Sequence, residues 1–122
     1  MSSAENYLSN WFRWRSGRQE SGYDKMLLIA NPFLIPFDCY LLRFRTGAEI
    51  LSHTDPVTDK RHYRLNIIIR KAKQGGKFVC SDPIYANRRI KLFRPDLSPH
   101  AVTKVTKGTR YVVSIGWVRG AT

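Results

Sequence analysis

Apolar residues recur along this chain with two different periods. Tyr7, Leu8, Trp11 and Trp14 fall at helical spacing, and Ser2 or Ser3 stands where a cap is needed. This pattern predicts a helix over the first fifteen residues. Ser16 to Ser21 is a polar break containing Gly17. A second helix is expected from Tyr23 to about Ala30, stopped by Pro32, which lacks an N–H donor and disfavours helix in the residue before it. From Asp38 the character changes to short β-rich runs. Strands are expected near Cys39–Arg45, Glu49–His53, Tyr63–Lys71, Lys77–Cys80, Arg89–Phe93, Ala101–Thr106 and Arg110–Val118. Gly47, Pro56, the Gly75–Gly76 pair, Pro83, Pro95 and Gly108 punctuate them. Many short antiparallel strands after a helical N-terminus predict a mainly β fold, a double-stranded β-helix (jelly-roll) with one or two N-terminal helices. A compact β-sandwich and an OB-like barrel are the alternatives. Residues 1–37 read as a helical support segment and 38–122 as the jelly-roll core of a single domain.

Composition narrows this picture. The chain has 122 residues, enough for one domain. With 43% hydrophobic and 25% charged residues it reads as globular. Its longest apolar stretch, Met26 to Phe37, is broken by Asn31, Pro32 and Pro36 and is too short to span a bilayer. No secretory signal opens the chain. Cys39 and Cys80 make no disulfide framework and read as reduced thiols of a cytoplasmic protein. The charge changes the picture more. Twenty-one Lys and Arg against nine Asp and Glu give +12, which favours an anionic partner such as nucleic acid, an acidic protein or a charged co-substrate. The basic residues form no long block, so a solvated basic surface is the plainer reading.

Chemistry enters with His53-Thr54-Asp55. Residues two apart on a strand point to the same face, so an imidazole and a carboxylate would share one cavity. Such a short pattern also arises by chance. His100, after Pro99, opens a late strand and can reach the first pair only if the sheet curls back, as a jelly-roll does. Two His and one carboxylate leave coordination positions open, the signature of non-haem Fe(II) oxygenases. Arg110 opens the last strand ten residues on, and a guanidinium binds a carboxylate in bidentate fashion. Alone, Arg110 reads as a surface arginine. His62, within Lys60-Arg61-His62-Tyr63, reads as exposed, and the sequence identifies no partner for Asp82 or Asp96.

Taken in order, these residues resemble the Fe(II)/2-oxoglutarate-dependent oxygenases, and the prolyl-4-hydroxylase-like branch in particular. The resemblance runs from Arg43-Phe44-Arg45-Thr46-Gly47 to His53-Thr54-Asp55, through Arg64-Leu65-Asn66-Ile67-Ile68-Ile69 and Gly75-Gly76-Lys77-Phe78. It continues through Pro99-His100-Ala101-Val102 and Gly108-Thr109-Arg110-Tyr111 to Trp117, covering roughly Asp38 to Gly120. The resemblance implies Fe(II) on His53, Asp55 and His100, with 2-oxoglutarate anchored by Arg110. O2 is then consumed, succinate and CO2 are formed, and a substrate C–H bond is hydroxylated or a methyl group is oxidatively removed. Asn66, Ile68 and Arg70 match positions lining the co-substrate pocket, and Phe78 and Val102 match pocket walls. Phe44 stands where the family often has a co-substrate-binding tyrosine. Tyr40 shares its strand face four residues away. Val112 stands where some branches carry a serine, Ser114 lies deeper on Arg110's face, and Arg70 is a possible second carboxylate anchor.

The branch resemblance implies a peptidyl side chain as substrate, whereas the charge favours nucleic acid; a small metabolite is a third option. Trp11-Phe12-Arg13-Trp14-Arg15 could stack bases or contact phosphates, or pack a helix onto the barrel. The rival class is a non-catalytic basic β-domain that binds nucleic acid. No membrane partner is expected, and the sequence does not set the oligomeric state.

Overall fold

The computed structural model describes residues 13–17, 22–31, 37–58 and 60–120. Twelve strands follow one another: β1 (Trp14–Ser16), β2 (Tyr23–Asn31), β3 (Phe37–Phe44), β4 (Ile50–His53), β5 (Lys60–Arg70) and β6 (Gln74–Gly75), then β7 (Phe78–Cys80), β8 (Tyr85–Ala86), β9 (Ile90–Phe93), β10 (His100–Val102), β11 (Val105–Lys107) and β12 (Arg110–Gly120). They form a seven-stranded sheet ordered β1-β2-β3-β12-β5-β9-β8, a three-stranded sheet β4-β10-β7 and a two-stranded ribbon β11-β6. This is a jelly-roll.

The second expected helix is a strand. Met26 to Ala30 is an apolar run short enough to suit either structure, and periodicity alone does not separate the two. Pairing decides it: β2 lies antiparallel to β3 from Tyr23↔Phe44 to Asn31↔Phe37, and β1 takes its other edge. Those ladders satisfy backbone groups that an isolated helix of this length would hold only marginally. The expected helix over the first fifteen residues lies outside the described residues as far as residue 12; its last two positions, Trp14 and Arg15, belong to β1. Among the described residues no helix is long and apolar enough to cross a membrane.

The register of the large sheet sets its inner face. Ser114 on β12 stands opposite Tyr40 of β3 and Asn66 of β5, Val112 opposite Leu42 and Ile68, and Arg110 opposite Phe44. Alternation along β12 is regular, with Arg110, Val112, Ser114 and Gly116 buried and the residues between them half-buried. Phe44, Ile68 and Val112 of this face close against Val102 and Val105 from the smaller layer, with Ala48 between, to make the core. Val112 and Val105 are fully buried, each worth about 1.5–3 kcal/mol of transfer free energy. At Gly75 (φ +72°) a side chain is excluded twice, by the left-handed backbone and by the Lys104 carbonyl, which a Cβ would meet at 2.0 Å. The close approach of β6 to β11 depends on that glycine. The core therefore fills one end of the space between the layers, and a cavity remains at the other.

Candidate metal centre

His53 ends β4 and His100 begins β10, and the antiparallel pairing sets them opposite each other. Their ring centroids are 4.4 Å apart. Asp55 lies beyond the end of β4, so the strand pleat alone does not aim it; its N–H donates to the Pro95 carbonyl at 2.6 Å. One carboxylate oxygen then sits 3.5 Å from His53 Nε2 and the other 3.4 Å from His100 Nε2. Both imidazoles are fixed the same way from behind: His53 Nδ1 lies 2.8 Å from the Leu51 carbonyl and His100 Nδ1 2.9 Å from the Ser98 carbonyl. A carbonyl oxygen only accepts, so each Nδ1 carries its hydrogen and each Nε2 is the ring atom that faces inward as a potential metal donor. Both Nε2 atoms and the two carboxylate oxygens thus converge on one point, where a cation would meet all three side chains. The three donor atoms fall within 4.8 Å of one another, and ligands at right angles on one metal stand roughly 3 Å apart. The group can therefore hold a divalent ion.

One turn supports two of the three donors. The N–H groups of Leu97 and Ser98 donate to the Arg94 carbonyl, closing the turn at 3.1 and 2.8 Å. Within it Arg94 grips Asp96 through Nε at 3.2 Å and Nη2 at 2.5 Å. Burial, the largest single influence, pushes the Asp96 carboxyl up, but the hydrogen bond and charge of Arg94 together with backbone N–H groups outweigh it and hold the group below the usual carboxylate range. Pro95 of this turn accepts from Asp55, and Ser98 accepts from His100. Asp96, left without a partner by the sequence, is thus a strut of the site. The only sequence signal for it was Arg94-Pro95-Asp96 itself, a common turn pattern.

The three donors open onto a cavity of about 270 Å³ between the layers. Tyr40, Phe44, Asn66, Phe78, Val102 and Ser114 line it. Arg110 lines it too and is not a surface residue: it is 3% exposed and lies 5.1 Å over the Phe44 ring. Its Nη2 has no hydrogen-bond partner, and burial lowers its pKa to about 10. A buried guanidinium without a counter-charge costs several kcal/mol, roughly, and a carboxylate placed against it would recover that cost.

Three expectations need correction. Arg70 is exposed at the end of β5 and lines no part of this cavity, because the sheet's inner face has run past its rim there. Ile68 packs in the core on the far side rather than on the cavity wall. His62 is not exposed: it lines the cavity, its Nδ1 is buried without a hydrogen-bond partner, and desolvation and the neighbouring Arg64 lower its pKa. Arg64, to which the sequence assigns no site role, donates through Nη1 to Ser114 Oγ at 2.8 Å and through Nη2 to Asp38 at 3.1 Å. Ser114 in turn donates to Asn66 Oδ1 at 2.6 Å. Arg64 crosses β12 at Gly116, where a Cβ would meet its guanidinium at 2.2 Å. With Asn66 Oδ1 engaged by Ser114, the amide Nδ2 is the Asn66 group left to meet a ligand.

No protein-family model matches the chain, and no curated protein matches it. Solved structures do. A prolyl-4-hydroxylase from Pseudomonas putida superposes with TM-score 0.65 at 15% identity, over 88% of this chain and 77% of that one. KdgF from a Halomonas species gives 0.59 at 14%, over 86% and 84%. The viral collagen prolyl hydroxylase of Paramecium Bursaria Chlorella virus-1, solved as its 2OG complex, gives 0.54 at 18%, over 74% of this chain and 63% of that one. The fold is a jelly-roll of the kind found in these prolyl hydroxylases and KdgF. At these identities the likeness is one of fold; the chemistry rests on the residues above.

Proposed function

We propose that the chain is an Fe(II)- and 2-oxoglutarate-dependent dioxygenase that hydroxylates, or by hydroxylation demethylates, a substrate side chain. The observation that carries this reading is the pairing, in one cavity, of a His53–Asp55–His100 donor group with a buried, uncompensated Arg110. The donor set suits Fe(II), and three protein ligands leave positions for a chelating co-substrate and O2. When bound, the iron with 2-oxoglutarate and O2 would supply C–H oxidation coupled to release of succinate and CO2.

The remaining work belongs to the protein. Arg110 would take the 5-carboxylate of 2-oxoglutarate, neutralising its own buried charge. The Asn66 amide, held by Ser114 and through it by Arg64, would donate to the co-substrate from one side. Phe44, Phe78, Phe93 and Val102 form an apolar wall that keeps water from the reacting centre. The prolyl hydroxylases among the structural neighbours favour a peptidyl side chain as substrate.

Purified protein with Fe(II), ascorbate and 2-oxoglutarate should form succinate even without a prime substrate, and His53→Ala should abolish it. Succinate at background level for the parent, with iron bound, would reject the reading.

A further inference from the structure

A second cavity, of about 550 Å³, lies behind the first and shares Phe78 and Arg110 with it. Besides Arg110, its walls carry five cations, Lys71, Lys73, Lys77, Arg88 and Lys91, and no Asp or Glu. Its floor is apolar, made of Ile68, Ala72 and Phe78. Elsewhere four basic residues have acidic partners: Asp24 pairs with Arg43 and Arg45, Asp38 with Arg64, and Asp96 with Arg94. Among the described residues no ion pair involves any of the five. Lys91 gives one hydrogen to the Asn87 carbonyl and keeps two. The sequence explains the imbalance, since no acidic residue occurs between Lys60 and Ser81, nor after Asp96.

The geometry points to this cleft as a binding site for a single strand of nucleic acid. The cationic surface continues past the cavity: Lys107 of β11 pairs opposite Gln74, the Lys104 carbonyl takes the Gly76 N–H, and exposed Arg70 precedes Lys71. A small anion needs two or three cations; a surface of eight suits a polymer with regularly spaced charges. Cationic walls over an apolar floor match a nucleotide unit, with phosphates at the rim and an unpaired base or sugar against the floor. An acidic peptide would use the walls and leave the floor unsatisfied. A duplex keeps its bases stacked away from the floor.

The test is fluorescence anisotropy with a labelled oligothymidylate of about twelve nucleotides, a length that spans one small binding domain. Lys71→Ala/Lys73→Ala/Lys77→Ala should weaken binding about tenfold or more and flatten its salt dependence. The matching Arg triple at those positions should restore it. Lys60→Ala/Arg61→Ala/Arg119→Ala removes the same charge from the opposite end of β5 and β12, and should change affinity less than about threefold. Equal losses in the two Ala triples would mean diffuse attraction and overturn the site. So would absence of binding, full displacement by millimolar inorganic phosphate, preference for the duplex, or equal affinity for polyglutamate. Succinate formation is read separately, so failure here leaves the oxygenase reading standing, and the reverse holds too.

Discussion

At the histidine end of the cavity each donor residue is held by a backbone carbonyl: those of Leu51 and Ser98 fix the imidazoles and that of Pro95 takes the Asp55 backbone N–H. At the Arg110 end a buried cation has an aromatic face beside it and an Nη2 with no partner. Orientation is prepaid at the first end, and charge is left uncompensated at the second. The difference teaches which property each ligand must bring. The first end asks for a cation to relieve three converging donors, and the second asks for an anion. A metal chelated by a dicarboxylate meets both demands, provided its free carboxylate reaches Arg110.

The comparison is broken most severely at the first end. His100→Ala removes a donor from a fixed set and should cost about a hundredfold or more in Fe(II) affinity, read by metal titration, with loss of succinate formation. An unchanged affinity would displace the metal from these residues. At the second end, Arg110→Met should act with opposite signs in two assays. Deleting a buried unpaired cation should stabilise the ligand-free protein by about 1–3 kcal/mol in denaturant unfolding. It should also weaken 2-oxoglutarate by about a hundredfold. A variant that loses stability instead would mean that Arg110 already has its counter-charge.

Smaller effects sharpen the contrast. Asp96→Asn touches no donor atom, yet it loosens the turn behind Asp55 and His100. Metal affinity should fall about tenfold, while 2-oxoglutarate affinity of the metal-loaded protein should barely change. The smallest effect concerns His62. Its folded pKa lies below the ordinary 6.5 because burial disfavours its charged form, so the unfolded chain binds the extra proton more readily. Stability should therefore decline as pH falls below about 6.5 and level off once the folded group titrates. His62→Gln should flatten that part of the unfolding profile.

What could be read from the sequence follows from which forces are local. Strand alternation and turn residues sufficed for most strands from Cys39 onward, while His53, Asp55 and His100, singled out by their order and the resemblance it carries, are brought within 4.8 Å of one another by the fold. The helix expected from Tyr23 to about Ala30 is a strand because its apolar run has no decisive period; only the edge of β3 selects the strand. Arg70 was misplaced because strand parity gives a face but not where that face leaves the cavity. Arg64, Asp96 and His62 were invisible as site residues. Their roles come from contacts across 50 residues for Arg64 with Ser114 and from a turn whose carbonyls, rather than side chains, do the holding.

The most direct test is an anaerobic titration of the Fe(II)-loaded protein with 2-oxoglutarate, followed by visible absorption, for the parent and Arg110→Met. The parent should develop the weak charge-transfer band of an Fe(II) chelate and saturate. The variant should reach the same band only at about a hundredfold higher concentration. No band in the parent, or superimposable titrations, would contradict a cavity that holds iron at one end and a carboxylate at the other.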